Sequence, residues 1–452
     1  MKLSVIILAA GQGTRMRSAV PKVMHELAGK PLLEHVYLRS LELGATDIHI
    51  VYGHGGEHLH EYCSRFDVEW VLQDQQLGTA HAVQQASPHI PDDHVVLILY
   101  GDVPLIRSET LNQLISSVTA DTIALLTVHL EDPTGYGRIL RAGGEVVAIV
   151  EQKDANEQQR AITEVNTGVL ALQAGYLNDC LRKIDNNNAQ GEYYLTDVIE
   201  LAVQDGKRVI ASQPEDTSEV EGVNDRIQLA KLERIKQQQL AEAIMLKGAS
   251  IADPARIDIR GELDVGVDSF IDVNCVFQGK VSIGKNVSIG AGCIIIDSTI
   301  ADGAVIRPYT IMEQTRIQHK VEVGPFARLR PGTSLEDNSK VGNFVEVKNT
   351  RLGAGSKANH LTYLGDAEIG EKVNIGAGTI TCNYDGAYKH KTIIKDGAFI
   401  GSDTQLIAPV TVGENSTIGA GSTITRDAED HELTLSRTEQ KTIKGWKRPQ
   451  KR

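Results

Sequence analysis

From Ile259 onward an apolar residue returns every six positions, at Val265, Ile271, Phe277, Ile283, Ile289 and Ile295. After two five-residue slips the step continues through Ile317, Val323, Leu329, Leu335, Val341 and Val347, and it returns as Ile394, Ile400, Leu406, Val412, Ile418 and Ile424. A period of six suits neither an α-helix face nor a strand with one buried side. It suits a coil with flat faces, in which each face sends one apolar side chain to the axis and the next coil stacks above. The C-terminal 40% or so of the chain therefore reads as a parallel β-helix. Roughly nine coils at about 4.8 Å each give a rod about 43 Å long. Its hexad residues are core, so chemistry is sought where the repeat breaks, and both open ends need cover.

The largest break is the thirteen-residue step from Thr381 to Ile394. About seven extra residues within Cys382-Asn383-Tyr384-Asp385-Gly386-Ala387-Tyr388-Lys389-His390-Lys391 must loop out from a corner, as a solvated ornament or as an arm toward a neighbouring rod. His360 is one of 14 histidines, most of which must be inert, but Arg330, Lys348, Tyr363 and Asn374 fall on neighbouring coils.

The 452 residues exceed one ordinary core, and the pattern changes near residue 250, so two domains are expected. In the first half, residues 3–10, 48–52 and 95–100 read as buried strands separated by helical patterns such as 31–43 and 76–86. That alternation predicts an α/β sandwich with ligands at the carboxyl ends of its strands. Two motifs lie there: Leu8-Ala9-Ala10-Gly11-Gln12-Gly13-Thr14-Arg15-Met16 and Tyr100-Gly101-Asp102-Val103-Pro104. Gly11 and Gly13 let backbone N–H groups approach an anion, and Arg15 and Lys22 supply positive charge. Met16 at the third glycine position excludes a dinucleotide fingerprint, and the absence of Gly-Lys-Ser/Thr excludes a Walker loop. Asp102, between a strand and a proline, suits a magnesium ion bridging phosphate oxygens.

The net charge of −13 argues against nucleic-acid or anionic-membrane partners, yet residues 1–33 hold Lys2, Arg15, Arg17, Lys22 and Lys30 against Glu26 alone. Five scattered cysteines without Cys-x-x-Cys spacing read as reduced thiols. The apolar start reads as a first strand rather than a cleaved signal, and no run is long enough to span a bilayer, so a cytoplasmic protein is expected. Residues 225–247, free of Gly and Pro with apolar Ile227, Leu232, Ile235, Leu240 and Ile244, predict an amphipathic linker helix. The boundaries expected are 1–226, a linker at 227–247, and 248–452.

The glycine-rich turn, Asp102 and the hexads together resemble, over essentially the whole chain, the bacterial bifunctional N-acetylglucosamine-1-phosphate uridylyltransferase / glucosamine-1-phosphate N-acetyltransferase family. That resemblance implies a Rossmann-like nucleotidyltransferase domain followed by a left-handed parallel β-helix. In the first domain it implies uridine held by Leu8, Ala9, Gly11, Gln73, Gly78 and Thr79, and sugar by Tyr100, Gly101, Gly137, Glu151 and Asn166. Mg2+ would sit on Asp102 and Asn224, with Arg15 and Lys22 stabilising the transition state. In the rod it implies His360 as general base, Arg330 and Lys348 on the sugar phosphate, and Tyr363 and Asn374 orienting the sugar. Asn383, Tyr384 and Lys389 would complete that site, while Ala377, Ser402, Ala420 and Arg437 line the acetyl-CoA path. The implied substrates are glucosamine 1-phosphate, N-acetylglucosamine 1-phosphate, UTP and acetyl-CoA, handled by a cytoplasmic homotrimer that supplies peptidoglycan and lipopolysaccharide synthesis. The basic tail from Lys444 is either solvated or a contact for coenzyme A phosphates, and His390 and Thr438-Glu439 depart from the family pattern. A nucleotidyltransferase whose rod only regulates or oligomerises has no need of His360, Arg330, Lys348 and the 382–393 loop. A non-catalytic scaffold has no need of the Gly11–Arg15 and Asp102 set.

Overall fold

The computed structural model describes residues 2–11, 13–53 and 56–451, so Gln12 of the glycine-rich turn and Arg452 of the tail lie outside the described residues. The chain divides into two compact units, Met1–Lys236 and Gln237–Arg452.

The first unit is built on a mixed sheet in the order Arg208–Ser212, Thr122–His129, Glu164–Gln173, Val95–Tyr100, Leu3–Leu8, Asp47–Tyr52 and Glu69–Leu72. The strands expected near the start are present, and every residue of Leu3–Leu8 is buried. Its side chains alternate between two cores: Leu3, Val5 and Ile7 pack on one face of the sheet, Ile6 and Leu8 on the other. Burial on both faces is why the strand is a continuous apolar run. One element departs from the expected parallel pattern. Glu164–Gln173 runs antiparallel to both its neighbours, and its register breaks between Asn166 and Leu170.

In the second unit the hexads form a parallel β-helix. An 11-stranded sheet makes one face, and a 17-stranded sheet bends round the other two. Ile271 pairs with Ile289 and Ile289 with Ile306, so a coil takes eighteen or seventeen residues according to whether it contains a slip. Isoleucine, valine and leucine fill the axis in one continuous core. Buried hydroxyls tie successive coils together: Thr350 Oγ1 donates to Lys348 O at 2.9 Å and receives the Ala367 N–H at 3.1 Å.

The rod is longer than the nine coils expected. Eleven strands on one face, at about 4.8 Å per coil, give a length of about 53 Å on the same count. The terminal strands escaped the pattern because they are not fully enclosed: Ser250 is exposed, and Leu433 is 62% exposed. The expected linker helix is present as Arg226–Leu246, and the division between units falls inside it. Leu232 is buried with Met16 and Leu27, and Ala241 and Ile244 with Ile257 and Ile259, but Ile227 is 82% exposed in the first turn rather than packed. Gln237 covers the first open edge of the rod. Its amide donates to Ile259 O at 2.8 Å and accepts from Ile259 N at 2.7 Å. All five cysteines are free, and no helix among the described residues is long and apolar enough to cross a membrane.

Candidate active sites

In the first unit, the turn after Leu3–Leu8 brings cations to the carboxyl edge of the sheet. Gly13 takes a positive φ of 59°, and a Cβ there would lie 2.6 Å from Lys22 Cβ, so only glycine lets the Lys22 segment approach. Met16 fills the third glycine position because its side chain is buried against Leu27, Leu32, Leu105 and Val223, anchoring the Thr14–Met16 turn that carries Arg15. Lys22 Nζ donates to Asp102 Oδ2 and lies 3.5 Å from Asn224 Oδ1, which also receives Arg15 Nη2 at 2.9 Å. The structure thus brings Arg15, Lys22, Asp102 and Asn224 into one network. The Val223 N–H, bonded to Asp102 O at 2.9 Å, fastens the segment that carries Asn224.

Whether these residues fit a magnesium ion is tested by the position of the Lys22 ammonium. A carboxylate oxygen and an amide oxygen already face one shared cation, as a hard divalent ion requires. The described residues contain no cluster of three or more His, Cys, Asp or Glu ligands, so phosphate oxygens and water would have to supply the remaining positions.

Two adjoining cavities open here. One is lined by Leu8, Ala9, Gly11, Gln73, Gly78 and Thr79 together with Lys22 and Asp102. The other is lined by Tyr100, Gly137, Glu151 and Asn166. Gly101 lines neither: its N–H donates to Leu8 O at 3.0 Å. The register break in Glu164–Gln173 frees the backbone at Asn166–Gly168 to form the wall of the second cavity. Gly168 has φ 87°, and a Cβ there would collide with the Tyr100 ring. Burial raises the Glu151 carboxyl above its ordinary range, opposed by the Thr196 hydroxyl, which donates to it at 3.1 Å. Burial also raises the Tyr100 phenol, with Glu151 and Asp102 adding to the effect.

In the second unit the proposed residues fall into two columns. His360, Ala377, Ser402 and Ala420 each precede a left-handed corner residue, at Leu361, Gly378, Asp403 and Gly421, so they stack along one edge at successive coils. Arg437 lies at the end of that column, with Nη2 3.7 Å from where a Gly419 Cβ would sit. Asn374 lies on the 11-stranded face leading to this edge, paired with Lys357. The His360 ring is exposed, and its Nδ1 is 2.9 Å from Asn343 Oδ1. A ring that donates from Nδ1 to this oxygen would, when neutral, leave the Nε2 lone pair free to accept a proton.

The other column lies along the next edge. Arg330 pairs with Glu346 at 2.9 Å, and the Lys348 ammonium lies 3.4 Å from Asp366 Oδ2. A Cβ on Gly365 would meet the Tyr363 hydroxyl, which places that ring at this edge too. The extra loop is a folded hairpin bridged by Tyr384 and Lys389. Asp385 accepts N–H groups from Ala387 at 2.8 Å and Tyr388 at 2.6 Å and bonds His390 Nε2 at 2.7 Å, which holds its carboxyl well below the usual range. The loop is anchored by Asn383 Nδ2, which donates to Asp366. Lys389 lies against Lys348, and that neighbouring ammonium holds Lys389 below the usual lysine range. Tyr384 is 62% exposed, with its hydroxyl folded back on Gly386 O at 2.6 Å. One rod therefore gathers Arg330, Lys348, Tyr363, Asn383 and Lys389, and places His360 with Ala377, Ser402, Ala420 and Arg437 along a different edge.

Three matches to known families now bear on these geometries. Residues 5–168 match the MobA-like NTP transferase domain, residues 391–426 the bacterial transferase hexapeptide (six repeats), and residues 280–307 the hexapeptide repeat of succinyl-transferase. The chain joins an NTP transferase domain to transferase hexapeptide repeats. Among solved structures it is similar to a nucleotidyl transferase from Methanothermobacter thermautotroptrophicus, at 19% identity and TM-score 0.38, over 51% of this chain and 96% of that one. It is also similar to a protein described as a glucose-1-phosphate thymidylyltransferase from Bacillus anthracis, at 17% identity and TM-score 0.42, over 52% of this chain and 94% of that one.

Several groups at the two sites have no motif of their own. In the NTP transferase domain these are Tyr136, Thr167 and Thr196, which line the second cavity. In the hexapeptide rod Asn343 contacts His360 and Asp366 contacts Lys348 and Asn383, and the seventeen residues from Asn343 to His360, one coil, are the sequence signal that pairs Asn343 with His360.

Proposed function

We propose that the chain is a bifunctional enzyme. Its rod transfers an acetyl group from acetyl-CoA to glucosamine 1-phosphate, and its NTP transferase domain transfers a uridylyl group from UTP to N-acetylglucosamine 1-phosphate. The products are UDP-N-acetylglucosamine and pyrophosphate. The resemblance of the chain and the match of residues 5–168 to an NTP transferase domain support this reading. The observation that carries the second activity is the exposed His360 ring, oriented by Asn343, at the head of the Ala377, Ser402 and Ala420 column. A rod that only regulates has no use for a base in that place.

In the first reaction the sugar amine attacks the acetyl carbonyl carbon, His360 Nε2 takes the amine proton, and coenzyme A leaves as the thiol after protonation. Asn343 keeps the ring turned, with Nδ1–H spent on its amide oxygen. Arg330, Lys348 and Lys389 form a positive edge suited to the phosphate of the sugar. That edge and the His360 edge would meet when a second rod packs alongside, as in a homotrimer. Tyr309, Phe326 and Phe344 stack at 5.2 and 5.6 Å along the His360 edge and are 56%, 49% and 56% exposed, an apolar surface suited to such packing.

In the second reaction the sugar-phosphate oxygen attacks the α-phosphorus of UTP in line, and pyrophosphate leaves. A magnesium ion held by Asp102 and Asn224 would neutralise phosphate charge. Arg15 and Lys22 bind the negatively charged oxygens, and the two adjoining cavities position nucleotide and sugar. The test is thiol release from acetyl-CoA on adding glucosamine 1-phosphate. Wild type is expected to release coenzyme A and His360→Ala to release about 10²-fold less or lower still. Equal release from both removes His360 as base, and no release from wild type leaves the rod without its proposed activity.

A further inference from the structure

Arg138 is 1% exposed and lines neither cavity, yet the three residues before it, Gly135, Tyr136 and Gly137, form a wall of the second one beside Glu151 and Asn166. That wall is mostly bare backbone. Gly135 has φ 90°, and a Cβ on Gly137 would lie 2.8 Å from Ile149 Cγ2 and 3.3 Å from Glu151 Oε1. Two of the three residues have no side chain to pack, so hydrogen bonds must hold the wall in place. The Asn166 N–H donates to Gly137 O at 2.9 Å. The other end of the wall depends on Arg138. Its Nη1 donates to Tyr136 O, and its Nη2 donates to Gln152 Oε1 at 2.5 Å. The same Gln152 oxygen accepts the Gly135 N–H at 3.3 Å. Both donors require an acceptor, so the amide keeps its oxygen end toward the wall. Arg138 Nε has no partner among the described residues, so the hydrogen bonds of this buried guanidinium all go to the wall and to Gln152. Burying such a charge is costly unless its donors are used, which argues against a role as mere filling.

We propose that Arg138 and Gln152 are positioning residues for the sugar: together they fix the Gly135–Gly137 backbone, so that affinity for the sugar phosphate, and not for the nucleotide, depends on them. The guanidinium suits the task because its planar fork presents two donors at a fixed separation, one for Tyr136 O and one for Gln152. An ammonium is a point donor and cannot hold both at that spacing. With the fastening gone, the wall can move away from Glu151 and Asn166, and the sugar loses contacts made alike in the bound and the reacting state. Neither Arg138 nor Gln152 lines the nucleotide cavity, so the nucleotide keeps its site. The proposal rests on sugar-phosphate uridylylation as the activity of the first unit.

The test measures pyrophosphate release with N-acetylglucosamine 1-phosphate and UTP, each varied in turn. Gln152→Met removes the shared acceptor from a half-buried position. It is expected to raise the KM for the sugar phosphate about 10-fold, with the UTP KM and kcat within about 3-fold of wild type. Gln152→Glu keeps an oxygen acceptor on a chain of the same length and should stay within about 3-fold on all three constants. Arg138→Lys keeps the charge but not the fork and should match Gln152→Met. The double variant should fall no more than about 2-fold beyond either single change, because each loses the same fastening. An unchanged sugar-phosphate KM in Gln152→Met, an equal rise in both KM values, or a Gln152→Glu as impaired as Gln152→Met overturns the positioning role. Should Arg138→Lys fail to fold, the two Gln152 variants decide the point by themselves. A wild type that releases pyrophosphate with another sugar 1-phosphate and not with this one overturns the underlying reading alone, and the same KM comparison is then made with that sugar. A wild type inactive with every sugar 1-phosphate overturns both.

Discussion

Replacing Asp102 by Asn separates charge from shape at the first site. The Lys22 and Asp102 side chains are 13% and 17% exposed, so their ion pair is largely withdrawn from water. Asparagine keeps an oxygen for Lys22 Nζ and leaves the Val223 N–H bond to the main-chain carbonyl untouched, so the fold should survive. What disappears is one negative charge that would hold the metal against the phosphates. Loss of one such stabiliser costs about 2.7–4 kcal/mol in the transition state, or about 10²–10³ in kcat. Pyrophosphate release should fall by that factor at saturating UTP and magnesium. Coenzyme A release by the same sample is the internal control, because the rod has its own continuous core and should be unaffected. Uridylyl turnover within about 3-fold of wild type would refute the role of Asp102. An equal fall in both activities would show that the substitution damaged the protein rather than the site.

Arg15→Ala removes a cation from the same network and should lower uridylyl-transfer kcat about 10²-fold, and near wild-type turnover would exclude Arg15 from charge stabilisation. Asp197 is raised to about 6 by burial, reinforced by Glu200 and other carboxylates, so the folded state holds its proton more tightly than the unfolded chain. Its cost to stability is absent below about pH 4 and grows as pH rises through 6. Asp197→Asn should therefore raise the melting temperature of the first unit at pH 7.5 and give no advantage near pH 4. Equal melting shifts at the two pH values would contradict this.

The rod was legible because each sixth residue must point to the axis, so an aliphatic is required there whatever the surface does. Its ends were not, since the strands at Ser250–Ile251 and Leu433–Thr434 carry no fully enclosed aliphatic. Glu164–Gln173 gave no sign of its antiparallel direction, because buried strands of either sense are apolar runs. The cation network was half legible: glycine and charge types marked Arg15, Lys22 and Asp102, while Asn224 came only from resemblance, since its place depends on a chain reversal some two hundred residues later. In the rod the hexad count gave the coil of each residue but not its edge. Arg330, Lys348 and His360 sit on nearby coils, yet His360 faces a different corner from the two cations.

The two proposed sites, if each runs its own reaction, can be separated by substitution. Asp102→Asn and His360→Ala, each supplied with glucosamine 1-phosphate, acetyl-CoA, UTP and magnesium, should each make almost no UDP-N-acetylglucosamine. Mixed in equal amounts, they should restore its formation as acetylated sugar phosphate released by one variant is used by the other. A mixture that stays inactive, or full product from His360→Ala by itself, would contradict the assignment of two reactions to these two sites.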